Sequence, residues 1–101
     1  MNVMIDLCIV PIGEGTSLSP YIAQCTRILR SSGLKTTLHP FGTIVEGEWD
    51  AVFAAVKQCH SYLHVAMDVV RINTTIKVGT RTDKAQTGEE KVASVERLLK
   101  K

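Results

Sequence analysis

The stretch Leu34-Lys35-Thr36-Thr37-Leu38-His39-Pro40-Phe41-Gly42-Thr43-Ile44-Val45-Glu46-Gly47-Glu48 decides the fold. Leu34, Thr36 and Leu38 alternate with Lys35, Thr37 and His39, which is the two-residue period of a strand. Pro40-Phe41-Gly42 makes a turn, with Pro pre-setting φ and Gly relaxing it. Thr43 to Glu46 is then a second strand, antiparallel to the first because so short a connection only reverses the chain. Gly47 breaks that strand, and Glu48 opens a helix, where an acidic residue complements the helix dipole. Glu46 thus stands at the exit of a strand that runs into a helix. If it is held in a pocket rather than solvated, it is a polar anchor for a ligand.

Downstream, Val52, Val56, Cys59, Leu63 and Ala66 recur at three- and four-residue steps. No Gly or Pro lies between Gly47 and Gly79, so this helix is expected to run to about Met67. Val70, Ile72, Thr74, Ile76 and Val78 alternate with Arg71, Asn73, Thr75 and Lys77, a strand with one apolar and one polar face. After a polar loop, Thr80 to Gln86, the run Thr87-Gly88-Glu89-Glu90 matches a capping box. It opens a last helix whose apolar stripe is Val92, Val95, Leu98 and Leu99.

Upstream, Val3, Ile5, Leu7 and Ile9 alternate with Met4, Asp6, Cys8 and Val10, a strand expected to end at Pro11. Ile12 to Ser17 is a loop. Ser19 then serves as N-cap, with Pro20 at the first helical position. Ile22, Cys25, Ile28 and Leu29 share one helical face. Ser32-Gly33 ends the helix, with Gly33 suited to a left-handed C-cap.

The order is β-α-β-β-α-β-α. Its first six elements are a split β-α-β pair, the α+β ferredoxin-like sandwich: two helices on one face of a four-stranded antiparallel sheet. The seventh element is an extra C-terminal helix. Right-handed crossovers give the strand order four-one-three-two. At 101 residues, a single domain spanning 1–101 is expected.

Apolar residues at 45% and charged residues at 22% are ordinary globular composition. A net charge of +2 gives no push toward nucleic acid or an anionic membrane. The aromatics Tyr21, Phe41, Trp49, Phe53 and Tyr62 all fall outside the central strands, which argues against base stacking on the sheet. Cys8, Cys25 and Cys59 are too far apart in sequence to form a metal pair, and they read as buried reduced thiols of a reducing compartment. The apolar start of the chain is too short to span a membrane and has no basic flank. A cytoplasmic protein is expected.

With both helices on one sheet face, the other carries Met4, Cys8 and Val10 on the first strand. On the fourth it carries Arg71, Asn73, Thr75 and Lys77. Such a strip predicts self-association, unless the last helix folds over it. Asp6 lies within the strip, where Lys77 or Asn73 can reach it as an ion pair or as part of a ligand site.

Gly13-Glu14-Gly15-Thr16-Ser17 lacks the lysine of a P-loop and reads as an ordinary strand-to-helix connection. His60 and His64 have the four-residue step of metal ligands, but neither they nor His39 have a carboxylate or cysteine to complete a set. No Ser-His-Asp or Cys-His arrangement is present. These readings predict a protein that is not an enzyme and has neither metal nor cofactor.

Pro11-Ile12-Gly13, Gly15-Thr16-Ser17-Leu18-Ser19 with Tyr21, Gly42-Thr43-Ile44-Val45-Glu46-Gly47-Glu48, and Arg71 with Thr74-Thr75-Ile76-Lys77-Val78 and Arg81 resemble the small thiamine-binding-protein-like family. The resemblance covers nearly the whole chain. It implies a ferredoxin-like domain that assembles into homotetramers, and a pocket for thiamine or its hydroxymethylpyrimidine part. By motif match, the implied ligand residues are Glu46, Thr43 and Asp6. Thr43 and Glu46 are three apart, however, and in a regular strand they point to opposite faces. Sharing a pocket requires a bulge, or Thr43 in the turn. Trp49 or Phe41 could supply a stacking surface. The competing reading is an oligomeric regulatory or scaffold protein that answers a different ligand or partner.

Overall fold

The central strand, β1 (Asn2–Ile12), has a hydrogen-bonded neighbour on each side in the computed structural model, which describes residues 1–101. On one side β3 (Gly42–Glu48) pairs with it antiparallel, and on the other β4 (Arg71–Thr80) does the same. The edge strand β2 (Lys35–His39) pairs with β3 through the tight turn read from the sequence. The order is β2-β3-β1-β4, the expected order read from the other edge. Helices α1 (Ser19–Ser31) and α2 (Trp49–Ala66) supply the crossovers, and α3 (Gly88–Leu99) follows β4. The chain is α+β and ferredoxin-like with an added C-terminal helix.

Strand alternation separates two faces. Val3, Ile5, Leu7 and Ile9 of β1 and Val45 of β3 are buried under the helices, against Cys25 and Leu29 of α1 and Val52, Val56, Cys59 and Leu63 of α2. Each fully buried aliphatic side chain contributes roughly 1.5–3 kcal/mol. This one layer is therefore the core that holds the sheet and helices together. The opposite face of β1, Met4 to Val10, is only half-buried.

Several boundaries differ from expectation: Gly47 does not break β3, which runs on to Glu48, and β4 spans Arg71–Thr80 instead of Val70–Val78. Pro11 does not end β1, which runs on to Ile12 beside β4. β3 accompanies β1 only as far as Leu7, so beyond it one edge of β1 has no strand beside it and tolerates a residue lacking an N–H. Ser19 is not the N-cap of α1. Leu18 is, with helical dihedrals and no side-chain cap, and its carbonyl accepts from the Tyr21 and Ile22 amides. Ser19 already lies inside the helix. The loop before it is held by the Tyr21 hydroxyl, which donates to Glu14 Oε2 at 2.9 Å.

The α2 ends follow the sequence reading. Glu48 caps it, accepting from the Ala51 amide at 3.1 Å, and the helix stops at Ala66 with Met67 as C-cap. Asp68 then adopts a left-handed φ of 55°, and the Val69 amide bonds back to the Leu63 carbonyl. Gly33 after α1 has φ +80°, the left-handed conformation predicted for it.

His60 and His64 lie on the side of α2 that faces β4. His60 Nε2 meets Thr74 Oγ1 at 2.6 Å, and His64 Nδ1 donates to the Val69 carbonyl at 2.7 Å. Burial holds the His60 imidazole below the usual histidine range, and the nearby His64 adds to this. The folded state therefore takes up this proton less readily than the unfolded chain, whose histidines titrate near ~6.5. Stability contributed by neutral His60 is present above that pH and is lost on acidification below it. His60→Gln should reduce the stability lost between about pH 7 and pH 5, as read by denaturant unfolding at each pH. An unchanged pH dependence would overturn this assignment.

The last helix does not cover the open sheet face. Thr87 caps it, accepting from the Glu90 amide at 3.2 Å, but none of its residues is buried. It is tied to the sheet through its first turn and then stands away from it. The radius of gyration is accordingly 15.1 Å, against the ~13 Å expected of a 100-residue globule.

Candidate functional site

Strand register assembles one polar cluster on the open face. Met4 lies opposite Glu46, and Glu46 opposite Lys35 of β2. Asp6 lies opposite Ile44 on one side and Lys77 on the other. The loop from Thr80 to Thr87 and the start of α3 rise beside this patch and border a half-open cavity of about 660 Å³. Ligand pockets commonly have volumes of roughly 300–1,000 Å³. Met4 and Ile44 give the floor an apolar strip, and Asp6 and Glu46 give it two carboxylates.

Glu46 is held. Its Oε1 accepts from the Gly88 amide at 2.6 Å, 42 residues away, at the open N-terminus of α3. The positive end of the helix dipole favours a carboxylate there. The approach also explains Gly88, where a Cβ would sit 3.3 Å from Glu46 Oε2. Oε2 makes no hydrogen bond within the chain and is available to a ligand.

Asp6 is held differently. Its Oδ1 lies 2.7 Å from His39 Nε2. His39 belongs to β2, two strands away, and reaches across β3 because the residue between them is Gly42. A Cβ on Gly42 would meet the Leu7 carbonyl at 2.5 Å and Asp6 Oδ1 at 3.1 Å. The Phe41 amide donates to His39 Nδ1 at 3.3 Å. The ring proton of neutral His39 is thereby placed on Nε2, where it is donated to Asp6. The expected pairing of Asp6 with Lys77 or Asn73 is not made. Lys77 is its register partner without forming an ion pair, and Asn73 lies further along, opposite Val10.

Thr43 lies outside this cavity. β3 is regular, with no bulge from Gly42 to Glu48, so Thr43 points to the helix side and is buried there while Glu46 points to the open side. The two candidate stacking rings are elsewhere as well. Trp49 packs on Phe53 with ring centroids 4.7 Å apart, and Phe41 is exposed at the hairpin tip.

The roof is braced by Arg81. Its Nε and Nη2 donate to the two carboxylate oxygens of Asp83 at 2.5 and 2.9 Å, and Nη1 donates to Gln86 Oε1 at 2.6 Å. The guanidinium holds the Asp83 carboxyl below its ordinary value. Sequence reading missed Lys35, Lys84 and Lys91 as cavity residues and Gly88 as the anchor of Glu46. Strand parity alone puts Lys35 on the face of Glu46. Nothing local in the sequence indicates that α3 starts beside it.

The remaining reactive groups are placed for packing. Cys25 and Cys59 are buried, whereas Cys8 is half-buried on the open face, and all three are free thiols. The Cys59 thiol lies against Cys25, and this contact together with burial pushes it well above its ordinary range, so it stays protonated. A second hollow, between α1 and α2, is about 400 Å³ and includes Gln24, Arg27, Gln58 and Tyr62 but no carboxylate.

A model of the thiamine-binding protein family matches residues 5–96, a span that includes every cavity side chain from Asp6 to Lys91. The chain is 52% identical over 99 residues to the UPF0045 protein sll0230 of Synechocystis sp., covering 98% of this chain and 81% of that protein. The crystal structure of hypothetical protein MJ1052 from Methanocaldococcus jannaschii superposes with a TM-score of 0.86 at 30% identity, over 94% of this chain and 96% of that one. A protein of Thermotoga maritima, given a proposed role in thiamine biosynthesis or salvage, superposes with a TM-score of 0.80 at 26% identity, over 94% and 99%. Strand order, sequence motifs and a match that runs through the cavity thus agree, and the chain belongs to the thiamine-binding protein family.

Proposed function

We propose that this chain is a non-catalytic, cytoplasmic binding protein for thiamine or a related hydroxymethylpyrimidine, and that it works as a homotetramer. The observation that carries the reading is Glu46. One of its carboxylate oxygens is anchored by α3 and the other is free inside a cavity of ligand size. An aminopyrimidine presents an exocyclic amine along one edge and a flat apolar face. The amine can donate to Glu46 Oε2 while the ring lies over Met4 and Ile44. Asp6, oriented by His39, is a second acceptor on the same floor.

The homotetramer rests on the family resemblance and on two apolar surfaces, the strip on the open sheet face and the stripe along α3. That stripe also favours the second reading, an oligomeric scaffold or regulatory protein, because Val92, Val95, Leu98 and Leu99 are 56–72% exposed with nothing packed on them.

Titration calorimetry with thiamine and with hydroxymethylpyrimidine tests the first reading. Saturable binding of either at one site per chain is the expected result. No heat up to millimolar ligand, a limit of about −4 kcal/mol, would reject it in favour of the second.

A further inference from the structure

Five of the chain's 12 basic residues line this one cavity, against two acidic ones. Lys35 and Lys77 rise from the sheet floor, Arg81 and Lys84 come from the roof loop, and Lys91 comes from α3. Two of them are balanced by carboxylates outside the lining: Lys35 by Glu89 at 3.4 Å, and Arg81 by Asp83. Lys77, Lys84 and Lys91 form no ion pair. The two carboxylates within the cavity, Glu46 on the α3 amide and Asp6 on His39, keep their charge, so the lining carries five basic side chains against two acidic ones.

With Lys77, Lys84 and Lys91 outside any ion pair, this excess of basic over acidic side chains gives the cavity a net positive field. Holding like charges together disfavours the empty site, and an anionic group of the ligand relieves this. A neutral pyrimidine leaves it unrelieved. A thiazolium cation worsens it unless a phosphate ester offsets its charge.

We infer that the cavity selects the phosphorylated form of its pyrimidine ligand, with the phosphate held by Lys77, Lys84 and Lys91 and the aminopyrimidine edge by Glu46. This rests on the pyrimidine reading above and adds the charge state and the second half of the site. Lysine suits the role because flexible ammonium groups converge on a phosphate as point charges, without needing the planar fork of arginine.

Calorimetry with three probes separates the inference from the reading beneath it: hydroxymethylpyrimidine, its phosphate ester and inorganic phosphate. The ester is expected to bind on the order of tenfold more tightly than the unphosphorylated pyrimidine at ~0.1 M salt. That advantage should shrink to about threefold or less at ~1 M salt, where screening reaches ~3 Å. The double variant Lys84→Gln with Lys91→Gln should close the gap in the same way at low salt. Both lysines are exposed, so the fold is kept. Equal affinity for the two pyrimidines would overturn the inference and leave the pyrimidine reading standing. Inorganic phosphate binding as tightly as the ester, with no binding of the free pyrimidine, would keep the anion site and overturn the pyrimidine reading. No binding of any probe would overturn both.

Discussion

Glu46→Gln is expected to weaken pyrimidine binding by about 10- to 100-fold, because a hydrogen bond to a charged acceptor contributes roughly 1.5–3 kcal/mol. The substitution keeps shape and length. Its amide oxygen can still accept from the Gly88 N–H, but the amide NH2 then occupies the Oε2 position. There it meets the amine of the ligand, donor against donor. Amide exchange at Gly88 provides the control. If its protection is retained while calorimetric affinity falls, the loss belongs to the ligand contact and not to the α3 anchor. Unchanged affinity in Glu46→Gln would mean that this carboxylate serves α3 alone.

Val95→Asp combined with Leu98→Asp is expected to convert the proposed tetramer to single chains. The stripe on α3 is exposed in one copy, and none of its residues contributes to the core. Burying an aliphatic side chain between copies contributes roughly 1.5–3 kcal/mol, so losing two removes about 3–6 kcal/mol per copy. That is enough to move a micromolar dissociation constant to about the millimolar range. Light scattering should read about four times 11.1 kDa for the unaltered protein and 11.1 kDa for the variant. Because α3 buries nothing within its own chain, the thermal midpoint of the isolated chain should change little. An unaltered protein that is already monomeric at micromolar concentration would remove the basis for the tetramer. A variant that remains tetrameric would place the contact on the open sheet face instead.

The fold was legible because its signals are local. Alternation in Val3–Val10 and Val70–Val78 and the turn at Pro40-Phe41-Gly42 each depend on neighbours within a few residues. So do the helical spacing from Val52 to Ala66 and the Thr87 cap. The errors were local too. Ser19 and Pro11 are ordinary boundary residues by type, and the structure shifts both boundaries by one residue. Leu18 took the cap of α1 with its backbone, and the free edge of β1 admitted a proline.

The candidate site divides differently. Strand parity alone set Thr43 and Glu46 on opposite faces, and the register of β3 on β1 then puts Glu46 on the open face with Asp6. A two-residue period admits no other outcome unless a bulge intervenes, and β3 has none. The resemblance had grouped all three residues, and geometry separated one of them. What parity could not supply was the partner of each carboxylate. His39 reaches Asp6 only because Gly42 leaves the space between β2 and β1 open. Gly88 reaches Glu46 only because the chain returns 42 residues later with a helix end aimed at the sheet.

The sequence alone specifies the elements, their order and the two sheet faces. Those depend on backbone periods and turn chemistry that act over short range. Packing brings α3 to Glu46, gathers five basic side chains around the cavity and leaves the rest of α3 clear of the sheet. Such contacts join segments dozens of residues apart. Their formation is set by how the packed layers direct each chain end, which no local pattern encodes.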